Sequence, residues 1–161
     1  LYNVPSRTGL NITPETCLAL SKIENIVAIK EASSNMSQVA QIAALCKDNL
    51  HIYSGNDDQI LPILSLGGLG VISVLSNILP KDTHQMVASY FEGNTKEATH
   101  LQLATLPLIN SLFCEVNPIP VKAALNMLGY DFGTPRLPLV ELSKAGKERL
   151  QKEMKEYGLL S

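Results

Sequence analysis

Lys30 closes the apolar run Ile26-Val27-Ala28-Ile29 and precedes Glu31-Ala32-Ser33, a place where a lysine has two very different uses. The run is rich in β-branched residues and reads as a strand buried on both faces. Desolvation disfavours an ammonium, and an amine without its extra proton attacks a carbonyl to form a Schiff base. In the plainer use, the lysine ends the strand and extends its charge into water. On this segment alone the plainer use leads, because strand-end lysines are common and catalytic ones few.

Other polar groups stand where strands would end. Tyr2-Asn3-Val4-Pro5-Ser6-Arg7-Thr8-Gly9 follows a first strand end, Ser54-Gly55-Asn56-Asp57-Asp58 a third, and Ser73-Val74-Leu75-Ser76-Asn77 a fourth. A tyrosine at a strand end can shuttle protons, and an arginine in the loop above it can grip a carboxylate with two hydrogen bonds. For Asp57 and Asp58 helix capping is the better account, since Asn, Asp and Gly are ordinary turn residues. Gly67-Gly68-Leu69-Gly70 precedes a strand instead of following one, which is the wrong order for a dinucleotide cradle. It reads as a tight helix-to-strand turn. His51, His84 and His100 have no spacing suited to a metal or a nucleophile, and no cofactor or metal is implied.

The elements that must position these groups follow a βα rhythm. Strands are expected at Leu1–Asn3, Ile26–Lys30, Leu50–Ser54 and Gly70–Val74, separated by roughly 20–25 residues, with helices between them. Those helices are Thr13–Ser21, Ser37–Cys46 and Asp57–Leu66, with Thr13-Pro14 a cap-then-proline start and Ser37 and Asp57 cap-type residues. The pattern implies a parallel sheet with right-handed crossovers. In such a sheet Lys30 and Ala28 share the inward side, and Val27 and Ile29 face the helices. After Val74 only helices are expected: Pro80 to Phe91, Thr95 to Phe113 with a kink or break at Pro107, Val121 to Leu128, and Glu141 to Tyr157. A few parallel strands leave an open edge and an uncovered face, whereas eight close a barrel. The expected fold is α/β: the C-terminal half of a TIM (β/α)8 barrel over residues 1–93, followed by a helical C-terminal domain over 94–161. The chain opens on strand-like residues without a methionine, as the middle of a larger protein would.

Composition narrows the class. Charged residues make up 17% of the 161 and hydrophobic ones 45%, a balance that suits a globular core. The net charge of −2 carries no basic or acidic block, so neither nucleic acid nor an anionic membrane is an expected partner. Cys17, Cys46 and Cys114 are odd in number and lack CxxC spacing, and read as buried small hydrophobes in a reducing compartment. A cytoplasmic location is the default.

Five motifs, taken in order and spacing, resemble a known family: Tyr2-Asn3-Val4-Pro5-Ser6-Arg7-Thr8-Gly9, Ile29-Lys30-Glu31-Ala32-Ser33, Ser54-Gly55-Asn56-Asp57, Gly70-Val71-Ile72-Ser73-Val74 and Asn117-Pro118-Ile119-Pro120-Val121-Lys122. The chain is identified, over essentially its whole length, as similar to the dihydrodipicolinate synthases of the pyruvate-dependent class I aldolase superfamily. The resemblance implies a lyase of lysine (diaminopimelate) biosynthesis that condenses pyruvate with aspartate semialdehyde. Lys30 would form the Schiff base and Tyr2 would relay protons. Arg7 would hold the semialdehyde carboxylate, Ile72 would face the pyruvate site with its carbonyl, and Gly55 would line the pocket. Asn56 departs from the usual aspartate. N-acetylneuraminate lyases resemble the chain at Tyr2, Asn3, Pro5 and Lys30, but an arginine at position 7 favours the synthase; keto-deoxy-sugar acid aldolases are a further alternative. The resemblance also implies a missing N-terminal half that carries the rest of the proton relay, and a homo-oligomer, dimer or tetramer, when intact. The alternative to an enzyme is a non-catalytic fragment that retains only assembly contacts.

Overall fold

Four short strands organise the first part of the chain: β1 (Tyr2–Asn3), β2 (Ala28–Glu31), β3 (His51–Ser54) and β4 (Gly70–Val71). They form one parallel sheet in the order β1-β2-β3-β4. The structure, a computed structural model, describes residues 1–161. It divides into two compact units, Leu1–Ser73 and Val74–Ser161.

In the first unit the connections are helical, as parallel strands require. A single turn α1 (Pro5–Thr8) follows β1, then α2 (Pro14–Leu20); α3 (Met36–Cys46) joins β2 to β3, and α4 (Ile60–Ser65) joins β3 to β4. Thr13 caps α2 by accepting from the Thr16 N–H at 3.3 Å, with Pro14 in the first turn where no donor is needed. The cap of α3 is Asn35, which accepts from the Gln38 N–H at 3.1 Å. Ser37, the cap expected from sequence, lies inside the first turn. Asp57 likewise falls within a 3-10 turn, Asp57–Gln59, that leads into α4. The turn from α4 to β4 is made by Gly67 at φ 91°, a backbone shape that side chains disfavour.

One face of the sheet is sealed. Ile29 and its register partner Ile52 pack against Cys17 of α2, Val39, Ile42 and Cys46 of α3, and Ile63 of α4. The opposite face, with Ala28, Lys30 and Tyr53, is only half-buried. The expectation of a strand buried on both faces therefore holds on the helix side alone, because helices cover just that side of these four strands. Val27 also differs: it precedes the first paired residue of β2 and is 60% exposed.

The second unit is helical: α5 (Pro80–Phe91), α6 (Thr95–Leu112), α7 (Ile119–Met127) and α8 (Lys144–Glu156). Its core joins Leu75, Leu108, Leu112, Ala124, Leu150 and Met154. Pro107 does not end α6. The carbonyl it leaves without a helical donor belongs to Leu103, an exposed position that water can serve. Tyr157 donates to Asp82 at 2.6 Å and ties the end of α8 to α5. Helix α5 packs chiefly on α6 and so groups with this unit. The packing division therefore falls after residue 73, ahead of the expected boundary at residue 93. No helix is long and apolar enough to cross a membrane.

Candidate functional site

Register builds the site. Tyr2 pairs with Lys30, Lys30 with Tyr53, and Tyr53 with Gly70. Partners in a parallel ladder point to the same face, so these four positions form a row across the side the helices leave open. Within it the Lys30 Nζ lies 4.3 Å from the centroid of the Tyr2 ring. A cation over a phenol face is attracted to it, and the contact holds amine and phenol in one compartment. Gly70 offers no side chain at the end of the row, which leaves space beside Tyr53.

Gly55 stands just past β3 and donates its N–H to the Glu31 carbonyl at 2.7 Å. A Cβ there would come to 2.7 Å from the Ala32 Cβ and 3.2 Å from the Lys30 Cε, so only glycine lets the chain pass this close to the lysine stem. Ile72 continues β4 by donating its N–H to the Ser54 carbonyl at 2.8 Å. Two residues beyond Gly70, it lies on the same face as the row and is 50% exposed. Arg7 sits on the single turn of α1, just after β1, and is exposed. The five residues expected from sequence thus all fall at or just after the C-terminal ends of β1 to β4. Tyr2 and Gly55 each lie against the Lys30 side chain, from the strands on either side of it.

Sequence reasoning passed over two features. Tyr53 shares the Lys30 row, and the alternation around Ile52 already assigns it to that face. The second feature lies on the other side of the sheet. Glu31, one step past Lys30, is 1% exposed and faces the helices. Its Oε1 accepts from the Ser33 N–H at 2.6 Å, and its two oxygens accept from the Asn3 Nδ2 at 3.2 and 3.0 Å. The Gln38 Nε2 reaches Oε2 at 3.3 Å. Asn11 closes the cluster, accepting from Asn3 at 2.9 Å and donating to the Gln38 Oε1 at 2.7 Å.

An amine beside a phenol, at the ends of parallel strands, is equipped for carbonyl chemistry with local proton transfer. No three His, Cys, Asp or Glu side chains converge to hold a metal ion. A cleft of about 440 Å³ lies wholly within the second unit, but its lysines are engaged. Lys122 donates to the Thr134 carbonyl at 3.1 Å, and Lys147 pairs with Glu141 at 3.2 Å.

Residues 1–157 match the family model described as the dihydrodipicolinate synthetase family. The chain belongs to that family. It is 59% identical over 160 residues to 4-hydroxy-tetrahydrodipicolinate synthase 1 of Clostridium acetobutylicum, covering 99% of this chain and 55% of that protein. Among solved structures, the dihydrodipicolinate synthase of Thermotoga maritima superposes with a TM-score of 0.95 at 43% identity, over 99% of this chain and 55% of that one. The chloride-inhibited enzyme of Acinetobacter baumannii, complexed with pyruvate, superposes with a TM-score of 0.94 at 37% identity, over 99% and 55%. The chain spans about half the length of the relatives it matches. Within the family fold, its four parallel strands and following helices correspond to the C-terminal half of a TIM barrel with its helical extension.

Proposed function

We propose that this chain carries the Schiff-base lysine of a synthase that condenses pyruvate with aspartate semialdehyde to give 4-hydroxy-tetrahydrodipicolinate in lysine biosynthesis. The observation that carries the proposal is the Lys30 amine held 4.3 Å over the Tyr2 ring at the strand ends of a family sheet. The pyruvate complex of the Acinetobacter baumannii relative supports the choice of first substrate.

The unprotonated Lys30 amine attacks the C2 carbonyl of pyruvate; a C–N bond forms, water leaves, and an iminium remains. Its positive charge draws electrons from the methyl C–H bond, so a proton departs and an enamine forms. The enamine carbon attacks the aldehyde carbon of the semialdehyde, whose oxygen takes up a proton. The semialdehyde amino group then adds to C2 and expels the Lys30 amine, closing the ring. Tyr2 is assigned the proton transfers beside Lys30. Arg7 is assigned the semialdehyde carboxylate, which a guanidinium binds with two parallel hydrogen bonds. Ile72 and Gly55 line the pyruvate side, the first through its carbonyl and the second by its lack of a side chain. The other half of the barrel, which supplies the rest of the relay, and homo-oligomeric assembly of the intact protein belong to the same proposal.

Borohydride reduction in the presence of pyruvate tests the proposal in the full-length protein. The peptide containing Lys30 is expected to gain the mass of a reduced pyruvate adduct. Lys30→Arg is expected to remove both the adduct and turnover, the latter on the order of 10³-fold or more. An unmodified Lys30 peptide from active enzyme would sink the assignment.

A further inference from the structure

We propose that Glu31, with Asn3, Asn11 and Gln38, is the positioning device of the site, setting the Tyr2–Lys30 geometry from the opposite side of the sheet; the proposal rests on the Schiff-base assignment. Three observations carry it.

The first is placement. Asn3 and Glu31 are register partners, and they come one residue after the partners Tyr2 and Lys30. The two pairs share the same stretch of backbone and point to opposite faces. Whatever fixes one pair fixes the other.

The second is linkage. Two ladder bonds join the strands here, from the Lys30 N–H to the Leu1 carbonyl and from the Ala32 N–H to the Asn3 carbonyl, both 2.9 Å. The cluster adds side-chain bonds between Asn3 and Glu31 and spreads them to Asn11 and Gln38. The Ile12 N–H also donates to Asn3, at 2.9 Å, so the loop after α1 is held by the same group.

The third is cost. Glu31 is 1% exposed, and its partners are uncharged donors. A polar group buried this deeply is tolerated only while its hydrogen-bond partners stay in place, so the cluster ties Glu31 to fixed positions of Asn3, Ser33 and Gln38. Misplacement by about 1 Å of a reacting group is enough to lose on the order of 10²-fold in rate.

The test uses the full-length protein, with the rate of borohydride-trapped adduct formation and steady-state kcat and KM for pyruvate as readouts. Glu31→Ala is expected to slow trapping and kcat by about 10–100-fold with a much smaller change in KM. Glu31→Gln keeps an acceptor for Ser33 and Asn3, and is expected to recover most of that loss. Combined with Tyr2→Phe, Glu31→Ala is expected to cost little beyond the slower single variant, because both act on one geometry. A structural role alone would lower stability and multiply with Tyr2→Phe. Trapping at the wild-type rate in Glu31→Ala, or fully multiplicative losses, would overturn the proposal. If Glu31→Ala does not fold, Asn11→Ala carries the same comparison with Tyr2→Phe, and additivity there overturns it equally. An absent Lys30 adduct in the wild type is a different failure, that of the Schiff-base assignment itself.

Discussion

Gly55 and Lys30 occupy each other's space, and the consequence is specific. A methyl group at Gly55 would lie 2.7 Å from the Ala32 Cβ and 3.1 Å from the Glu31 carbonyl oxygen. Neither neighbour is the loose end of a long side chain, so the strand ends must part. Gly55→Ala is expected to cost about 1–3 kcal/mol of stability, as overpacking does. It should also lower kcat by about tenfold or more by moving the Lys30 stem, measurable by urea denaturation and steady-state kinetics on the full-length protein. Substrate affinity lost with kcat intact would place Gly55 outside the lysine's environment. The strand-end places of Lys30, Tyr2 and Arg7 were legible because strand ends can be read from apolar runs and the residues that follow them, whereas Gly55 and Ile72 stood out only through the family resemblance. Glu31 was not legible. Its alternation already pointed to the helix side, but the donors that make its burial tolerable come from Asn3, Asn11 and Gln38, which only the fold brings together.

At the scale of elements, α2 and α3 meet over Cys17 and Cys46, both free and fully buried. Burial first, then the neighbouring Cys46 and Glu31, push the Cys17 thiol from an ordinary value near 9.0 up to about 11, and burial also raises Cys46. The folded state therefore holds the Cys17 proton more tightly than the unfolded chain does. The stability linked to it is complete below pH 9 and is lost as pH rises through 11, about 3 kcal/mol in all. Urea midpoints across that range should fall more steeply for the wild type than for Cys17→Ala. At pH 8 the half-exposed Cys114 should alkylate well before either; equal rates would mean that α2 and α3 open readily. The helices themselves were legible from their periodicity, their caps less so. Ser37 and Asn35 are both good capping residues, and the choice falls on Asn35 because its extended backbone aims the side chain at Gln38. The α1 turn gave no periodic signal, since four residues are too few to show one.

For the molecule as a whole, the sheet is the deciding feature. Strands β1 and β4 are both edges, each presenting unpaired backbone groups, and the face between them is covered by no helix. Tyr2 and Ile72 remain about half exposed there. Parallel strands are stable with both faces covered, and eight of them close a barrel whose interior is filled by side chains. The relatives, about twice as long, have the length for such closure. The 161-residue chain by itself is therefore expected to bind hydrophobic dyes and to associate through its open sheet. It should also form product at least about 10³-fold more slowly than the full-length enzyme, since Lys30 would lack the groups that position substrate. The second unit has its own core in α6 to α8, so helical circular dichroism should survive even where the sheet aggregates. Light scattering, dye binding and a coupled assay on the isolated chain and the full-length protein, compared side by side, settle the matter. Full turnover by a monodisperse 161-residue chain would mean that Lys30, Tyr2 and their neighbours complete a site without the other strands. The half-barrel account would then be wrong.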